Sequence, residues 1–592
     1  MAKQPTPAPN AGGVSRRAAL LGAGAIAGCA PLAAPPPPQR FAPDAAFRHG
    51  VASGDPLQDR VILWTRVTPR AGEPVDVRWI LARDEALQDR VAEGADRAEP
   101  ARDWTVKVDV AGLDPGAAYV YAFEALGERS PIGRTRTLPA GPTARFALAV
   151  VSCANHPAGW FNVYRDIADR AEADAVVCLG DYLYEYGPGG YATGWGARNG
   201  RVPDPPHEIV TLADYRRRHA QYKSDPDLQD AHAFAPWIMV WDDHELANNA
   251  GPEGAENHDP DEGDWAARKR AAVQAYFEWT PIREPEPGRP REAIGRAFEI
   301  GDLATLIMLE TRLVGRAPRL TWYEAPVPAT AKLANPEARA GIDAFLRDVV
   351  GAEDRALLGA EQEAEVEAAL ARAVAAGKPW TLLGNQTLMT PFASPDYAAV
   401  LPRWLRLAMR VREREGYALM RRSAFGVPLS FDPWDGHPAA RERLYAAARR
   451  AGAQLVTLSG DSHTFMVSRL EAADGAAMGV ELGTSAVSSP SAFLAVPDVG
   501  VDFGALTETT NPHVLHHNGY DRGYIAVTLT PERIRAELRR VDTVETRDFQ
   551  VEAYKAFEVT RASSGALAIA ETAPAHADAS GRIPLARRGR RA

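Results

Sequence analysis

The sequence predicts a mixed α/β domain, sheets flanked by helices, preceded by a small all-β module. Three observations carry this. Residues 44 to 140 read as short alternating segments broken by turn signals such as Leu113-Asp114-Pro115-Gly116. From Arg145 onward the pattern changes, and apolar strand runs alternate with segments of helical periodicity. At 592 residues the chain is too long for one core, and 46% hydrophobic with 24% charged residues is the composition of a folded globular chain.

Taken in order, residues 1–43 are an address and a spacer. Ser15-Arg16-Arg17 precedes an apolar run from Ala18 to Ala30, the pattern of a twin-arginine export signal. The run is too short for a comfortable membrane span. Ile26-Ala27-Gly28-Cys29 resembles a lipoprotein cleavage box, which would make Cys29 a lipid anchor; cleavage near Ala34 would instead discard it. Pro35 to Pro38 form a stiff extended spacer. Export places the protein in the periplasm or outside the cell, with the twin-arginine machinery as a transient partner.

Residues 44–140 supply strands at Val61–Arg66, Val75–Arg83, Trp104–Val110 and Ala118–Ala125. Tyr119, Tyr121 and Phe123 alternate clearly, and the segment looks like a β-sandwich of immunoglobulin or fibronectin type. Residues 141–545 form the main domain. Its strands are expected at Phe146–Ser152, Ala175–Leu179, Trp237–Trp241, Ala304–Leu309, Trp380–Leu383, Leu455–Leu458, Ala477–Leu482, Gly523–Leu529 and Arg533–Val541. Helices are expected at Trp160–Ala171, Trp265–Trp279, Glu361–Ala375 and Ala439–Ala451. Residues 546–592 are Ala-rich and weakly patterned, and read as a partly helical extension or a disordered end.

The formal net charge of −10, with no basic block in the body of the chain, argues against a stable nucleic-acid partner. It does not exclude a phosphorylated ligand, because bound cations reverse the local field. Three cysteines, Cys29, Cys153 and Cys178, cannot make a disulfide framework. Cys178 lies within an apolar strand and reads as a small buried hydrophobe.

The informative feature is the set of polar residues at the end of each apolar run. The runs end in Ser152-Cys153, Gly180-Asp181-Tyr182-Leu183-Tyr184, Asp242-Asp243-His244-Glu245, Gly384-Asn385-Gln386 and Gly460-Asp461-Ser462-His463. Ligands of α/β folds bind beyond the carboxyl ends of the strands. One Asp after a strand is a common cap; five strands each delivering a metal-binding side chain to one edge are not.

These motifs resemble the calcineurin-like metallophosphoesterases, a superfamily that includes the purple acid phosphatases. The departures, Asp243-His244-Glu245 for Asn-His-Asp/Glu and Asp461-Ser462-His463 for His-x-His, resemble the PhoD-like alkaline phosphatases and phosphodiesterases. So do Val51-Ala52-Ser53-Gly54-Asp55-Pro56, Trp64-Thr65-Arg66, Tyr222-Lys223-Ser224-Asp225, Trp434-Asp435-Gly436 and Asp521-Arg522-Gly523-Tyr524. The likeness spans residues 44–545 and implies a metallophosphoesterase β-sandwich flanked by helices.

Position by position, it implies two metal sites sharing Asp181. One takes Cys153, Asp181, Tyr184 and His463; the other takes Asp181, Asp243, Asn385 and Asp461. Thiolate and phenolate suit Fe³⁺, with Zn²⁺ next; oxygen-only ligands suit Ca²⁺, with Mg²⁺ or Mn²⁺ next. The family is known for iron with calcium. The implied reaction is hydrolysis of phosphate mono- or diesters by a hydroxide held between the cations. Beside the shared Asp181, the catalytic residues would be His244, to bind a phosphoryl oxygen or protonate the leaving group, and Arg312, to contact phosphate, with a surface or structural ion pair as its alternative. A phospholipase D-type phosphodiesterase of the same family is one alternative. A serine-nucleophile phosphatase using Ser462, or a non-catalytic metal-stabilised surface protein, are others. His513, His516 and His517 match no motif and are left outside the site. Tyr520 and Arg522 could border the pocket without an assignable role.

Replacing Arg16 and Arg17 by Lys is expected to hold the protein in the cytoplasm, measured by fractionation. Cys29→Ala is expected to release it from membranes if Cys29 carries the lipid; undiminished membrane association of that variant excludes an anchor there.

Overall fold

The computed structural model describes residues 45–322, 325, 335–412, 414–563 and 565–574. The export signal, Cys29 and the proline spacer lie outside the described residues. The chain is mixed α/β, organised on three sheets. A ten-stranded sheet runs in the order Leu567–Thr572, Val551–Arg561, Arg533–Val541, Arg522–Leu529, Phe146–Val151, Ala175–Cys178, Trp237–Met239, Val51–Gly54, Arg60–Arg66, Thr105–Ala111. A seven-stranded sheet runs Arg296–Ile300, Ala304–Met308, Trp380–Asn385, Leu455–Ser459, Ala477–Gly483, Phe465–Glu471, Val514–Asn518. A smaller sheet holds Arg90–Ala98, Val75–Ala82, Ala118–Ala125 and Glu128–Arg129, with Gly133–Arg136 also paired to Ala118–Ala125.

The two large sheets share one core. Leu148, Val150, Val176 and Ile238 from the first meet Leu306, Leu382, Val456 and Leu482 from the second. Their central strands are buried along their whole length, which is why they read as continuous apolar runs rather than alternations. Ala360–Ala375 and Pro438–Ala451 cover the seven-stranded sheet with Val366, Leu370, Leu444 and Tyr445. Trp265–Trp279 forms as its spacing predicts, with Asp264 accepting from the amides of Ala266 and Ala267 at its start.

Two features differ from the sequence expectation. The N-terminal strands are not closed off at residue 140, because Val51–Gly54 pairs in parallel with Trp237–Met239, joining at Gly54 opposite Trp237. Glycine permits that approach: a Cβ on Gly54 would stand 2.5 Å from the Pro281 carbonyl oxygen and 2.6 Å from that of Trp237. Val51–Gly54, Arg60–Arg66 and Thr105–Ala111 therefore extend the large sheet while packing Val51, Leu63 and Val106 against Val77, Tyr119 and Tyr121 of the small one. The second difference is the C-terminal tail. Its first part is neither helical nor disordered: Val551–Arg561 and Leu567–Thr572 are edge strands of the ten-stranded sheet. Alanines at 553, 556, 568 and 570 hid a two-residue alternation that Phe557 and Val559 anchor.

Phe557 is 1% exposed. Phe557→Ala is expected to cost about 3–5 kcal/mol of stability, read by thermal or denaturant unfolding. An unchanged transition would mean that this strand is not part of the folded unit.

Candidate metal centre

Two sets of three parallel strands aim at one edge. Phe146–Val151, Ala175–Cys178 and Trp237–Met239 are adjacent and parallel, as are Ala304–Met308, Trp380–Asn385 and Leu455–Ser459. Their carboxyl ends deliver Cys153, Asp181, Asp242-Asp243-His244, Arg312, Asn385 and Asp461. The turns that carry them are tight. Cys153, Asp181, Asp461 and His463 adopt left-handed backbone, with φ of 62°, 55°, 60° and 55°. Non-glycine residues avoid this region, and each such residue costs of order 1–3 kcal/mol that the surrounding sheet must offset.

Ligand-type atoms converge in three overlapping groups, one of them made by Asp181, Asp243 and His244. Atoms of Cys153, Asp181 and His463 lie within 4.8 Å of one another, as do those of Asp181, Asp242, Asp243 and Asp461. Asp181 belongs to every group, the position that the expected bridging role would need. The Tyr184 hydroxyl joins the group of Cys153, donating to Asp181 Oδ2 at 2.9 Å and standing 3.1 Å from His463 Nε2. The other nitrogen, His463 Nδ1, lies 3.0 Å from the Pro490 carbonyl oxygen, which can only accept. The proton therefore sits on Nδ1 and Nε2 presents its lone pair inward. Burial lowers the His463 pKa to about 4, keeping it neutral.

The charges do not balance without a cation. Asp181, Glu185, Asp242, Asp243 and Glu245 are buried, Asp461 is half-buried beside them, and the buried cations in contact are His244 and Arg312. By protein charges alone, burial and neighbouring carboxylates push Asp181 and Asp242 well above the usual range and Asp461 to about 7. Burial, then Asp181, hold the Cys153 thiol and the Tyr184 phenol well above theirs. Asp242 Oδ2 and Asp243 Oδ1 are buried with no hydrogen-bond partner. Acceptor oxygens left bare inside a protein are the environment a metal ion completes. The residues present fit two cations.

An outer layer fixes these ligands. Glu245 receives the amides of Asp181 and Asp242 on Oε2, at 3.1 and 2.9 Å, and that of Tyr182 on Oε1 at 2.6 Å, tying the second turn to the third. Trp434 Nε1 donates to Asn385 Oδ1 at 2.9 Å, while Asn385 Nδ2 donates to the Thr387 carbonyl and Ser459 Oγ. This orients the amide with one oxygen lone pair still free. The Tyr222 hydroxyl accepts from the amides of His156 and Tyr184 at 3.0 and 3.2 Å. The Trp434 and Tyr222 motifs thus support the ligand loops.

Of the expected catalytic residues, His244 brings a ring nitrogen within 4.8 Å of carboxylate oxygens of Asp181 and Asp243. Its Nδ1 lies 2.7 Å from Glu185 Oε2, and its ring stacks on Tyr184 with centroids 4.1 Å apart. Burial opposes its charge, but Asp243, Glu185 and Asp181 together hold its pKa well above the ordinary value. Arg312 is fully buried and spends its guanidinium on Asp242 and Asp432, with Nη2 3.8 Å from Asp243 Oδ1. These contacts match the alternative reading of Arg312 as a structural ion pair. Burial opposes its charge too, and Asp242, Asp432 and Asp243 more than offset that. Ser462 is bonded to Thr464, with no base among its described contacts. His513 and His516 bond to the Pro391 carbonyl and to Tyr554.

Sequence reasoning passed over Asp242, Glu185 and Tyr191. Asp242 was legible in the Asp-Asp doublet, and Glu185 comes directly after Tyr184. Tyr191, whose hydroxyl lies 3.1 Å from His463 Nδ1, sits in a Gly-Gly-Tyr loop that carries no signal.

Comparison with known proteins agrees with this geometry. The family model for PhoD-like phosphatase matches residues 148–538, and that for the PhoD-like phosphatase N-terminal domain matches residues 32–139. Alkaline phosphatase D of Bacillus subtilis (strain 168) is 34% identical over 523 residues, covering 83% of this chain and 77% of that protein. The solved structure of PhoD superposes with a TM-score of 0.70 at 28% identity, over 90% of this chain and 93% of that one. With two thirds of its length matched by the family model and its strand-end motifs gathered at one edge, the chain belongs to the PhoD-like phosphatase family.

Proposed function

We propose that this phosphoester hydrolase is an exported alkaline phosphatase/phosphodiesterase working with Fe³⁺ and Ca²⁺. Membership in the family, with an alkaline phosphatase D at 34% identity, makes it an enzyme of phosphate-ester hydrolysis and sets aside a non-catalytic surface protein. The observation that carries the metal reading is the pair of ligand groups sharing Asp181, set among buried carboxylates that protein cations do not neutralise. Cys153, Asp181, Tyr184 and His463 would hold the iron; Asp181, Asp243, Asn385 and Asp461 would hold the calcium, with Asp242 beside them. Zn²⁺ in the first site, and Mg²⁺ or Mn²⁺ in the second, are the alternatives. Bound there, the cations supply an acidified water and neutralise charge on phosphoryl oxygens.

The chain's own residues contribute position and a proton. His244 keeps Nδ1 on Glu185 and offers Nε2–H to the phosphoryl or leaving-group oxygen. Glu185 is itself fixed by the Asn248 amide at 2.8 Å and Asn257 Nδ2 at 2.7 Å, so the imidazole is held in direction as well as in charge. Arg312 holds Asp242 in place and, with Asp243 3.8 Å from its Nη2, favours the charged form of both. The N-terminal strands are read as an immunoglobulin-like module that packs on the enzyme and brings no chemistry of its own.

Elemental analysis of protein purified without added metal is expected to give about one iron per chain, with calcium. Chelation is expected to lower the melting temperature, because the carboxylates then repel unscreened. Zinc alone would overturn the iron assignment. Asp181→Asn is expected to lose metal and activity together. His244→Ala is expected to keep its metals and fold while activity falls roughly 10²–10⁴-fold, about 3–5 kcal/mol of transition-state stabilisation. Metal loss in His244→Ala would make His244 a ligand; near-normal turnover would remove it from the chemistry.

A further inference from the structure

The connection after the strand Trp380–Asn385 is long and includes the helices Tyr397–Val400, Arg403–Arg412 and Arg414–Ser423. Because that strand ends in Asn385, the insertion rises from the same edge of the sheet as the metal centre. Its inner face is packed: Leu405 and Met420 meet Tyr397 and Phe503, with Phe493 against them. Phe493 lies three residues beyond Pro490, whose carbonyl touches His463 and Tyr191. One short segment therefore links the metal centre to the underside of the insertion.

Its outer face breaks the usual rule for a helix on a globular protein. Trp404, Leu407 and Val411 are 59%, 62% and 72% exposed, and their spacing puts them on one stripe. Of the ten large apolar side chains exposed among the described residues, four lie between Val400 and Val411. Two more, Leu494 and Tyr520, are next to Phe493 in sequence or space. Residues 403–422 carry seven arginines and two glutamates in a chain whose net charge is −10. Arg403, Arg410 and Arg412 are exposed beside the stripe. A helix with Trp and Leu on one side and arginines along its flanks is built for the interface of an anionic bilayer, and nothing among the described residues is long and apolar enough to cross one.

We infer that the Arg403–Arg412 helix is a docking surface for an anionic phospholipid bilayer. Trp404, Leu407 and Val411 enter the headgroup boundary while Arg403, Arg410 and Arg412 meet lipid phosphates. An acidic protein needs such a local basic patch to approach a surface of its own sign. Docking is independent of the metal chemistry; that the docked centre then meets headgroup phosphoesters rests on the hydrolase reading above. Charge is what favours a bilayer over a second copy of the chain, since two copies of this stripe would bring their arginines together.

The test is co-sedimentation of the full chain, in a Cys29→Ala background, with vesicles of phosphatidylglycerol and phosphatidylcholine or of phosphatidylcholine alone. Hydrolysis of a soluble chromogenic ester is measured in parallel. Binding is expected to the mixed vesicles, weakened by salt. The triple variant Trp404→Glu, Leu407→Glu, Val411→Glu is expected to lose more than about tenfold in vesicle affinity at unchanged soluble-ester turnover. A second variant, Arg403→Gln, Arg410→Gln, Arg412→Gln, leaves the apolar stripe intact and is expected to lose the preference for anionic vesicles. Parent protein that stays in the supernatant, either variant binding as the parent does, or equal binding to both vesicle types overturns the proposal. So does a parent self-association that the Glu variant abolishes, which would make the stripe an interface between copies. Absent soluble-ester hydrolysis in the parent would instead count against the catalytic reading and leave the binding result to be judged alone.

Discussion

Carboxylates gathered at the edge of two facing sheets repel one another, and much of the surrounding structure is arranged to hold them there. Two unit charges 4 Å apart interact by about 4 kcal/mol at a protein-like dielectric. Six such groups with two buried cations make a cluster whose charge the protein alone does not neutralise. The fold accepts that strain because parallel strands leave no other place for their polar ends, and because a cation in the cluster reverses its sign. The same arithmetic explains Arg312. Placed behind Asp242 and Asp243, it offsets part of the repulsion without competing for the oxygens that face inward.

Rigidity comes from the same need. Four ligand-bearing residues sit in left-handed turns, and such turns persist only where the neighbouring structure over-determines them. Glu245 gathers three amides from two of the turns, and Gly180 and Gly460 let neighbouring turns pack without clearance. A Cβ on Gly180 would collide with that of Asp242, and one on Gly460 with Ser152 Oγ. The Tyr222 and Trp434 motifs belong to this layer. They look like site residues in sequence because the ligands cannot be placed without them.

The gathering of polar residues at one strand edge was legible because strand, turn and metal-binding residue type succeed one another within a few positions, and a fully buried parallel strand is an unbroken apolar run. Asp242 was passed over because only one of two adjacent carboxylates was given a role, although the doublet itself was plain. The parts that were open or mistaken share a cause. Arg312 could be read as a phosphate contact or as a structural ion pair, because a sequence shows that a guanidinium is near a strand end, but not which way it points. The tail looked unstructured because alanine contributes little to a strand alternation, and Val551–Arg561 takes its order from pairing with Arg533–Val541. The N-terminal junction rests on Gly54 opposite Trp237, a contact between residues 183 positions apart in a chain where neither signals the other.

The two histidines of the centre show how the layer behind a site decides chemistry. Each has one nitrogen turned outward, and the partner on Nδ1 sets the state of the ring. His463 faces the carbonyl oxygen of Pro490, an acceptor without charge, so its proton stays on Nδ1 and the ring remains a neutral ligand. His244 Nδ1 lies 2.7 Å from the carboxylate of Glu185, and while burial opposes the charged ring, Asp243, Glu185 and Asp181 together favour it. In the sequence only the family resemblance separated His244 from His463; the two motifs by themselves carry no physical reason for the difference. The difference lies in Asp243 and Glu185 around one ring and Pro490 behind the other, and it is what supports proposing a proton donor in the first and a metal ligand in the second.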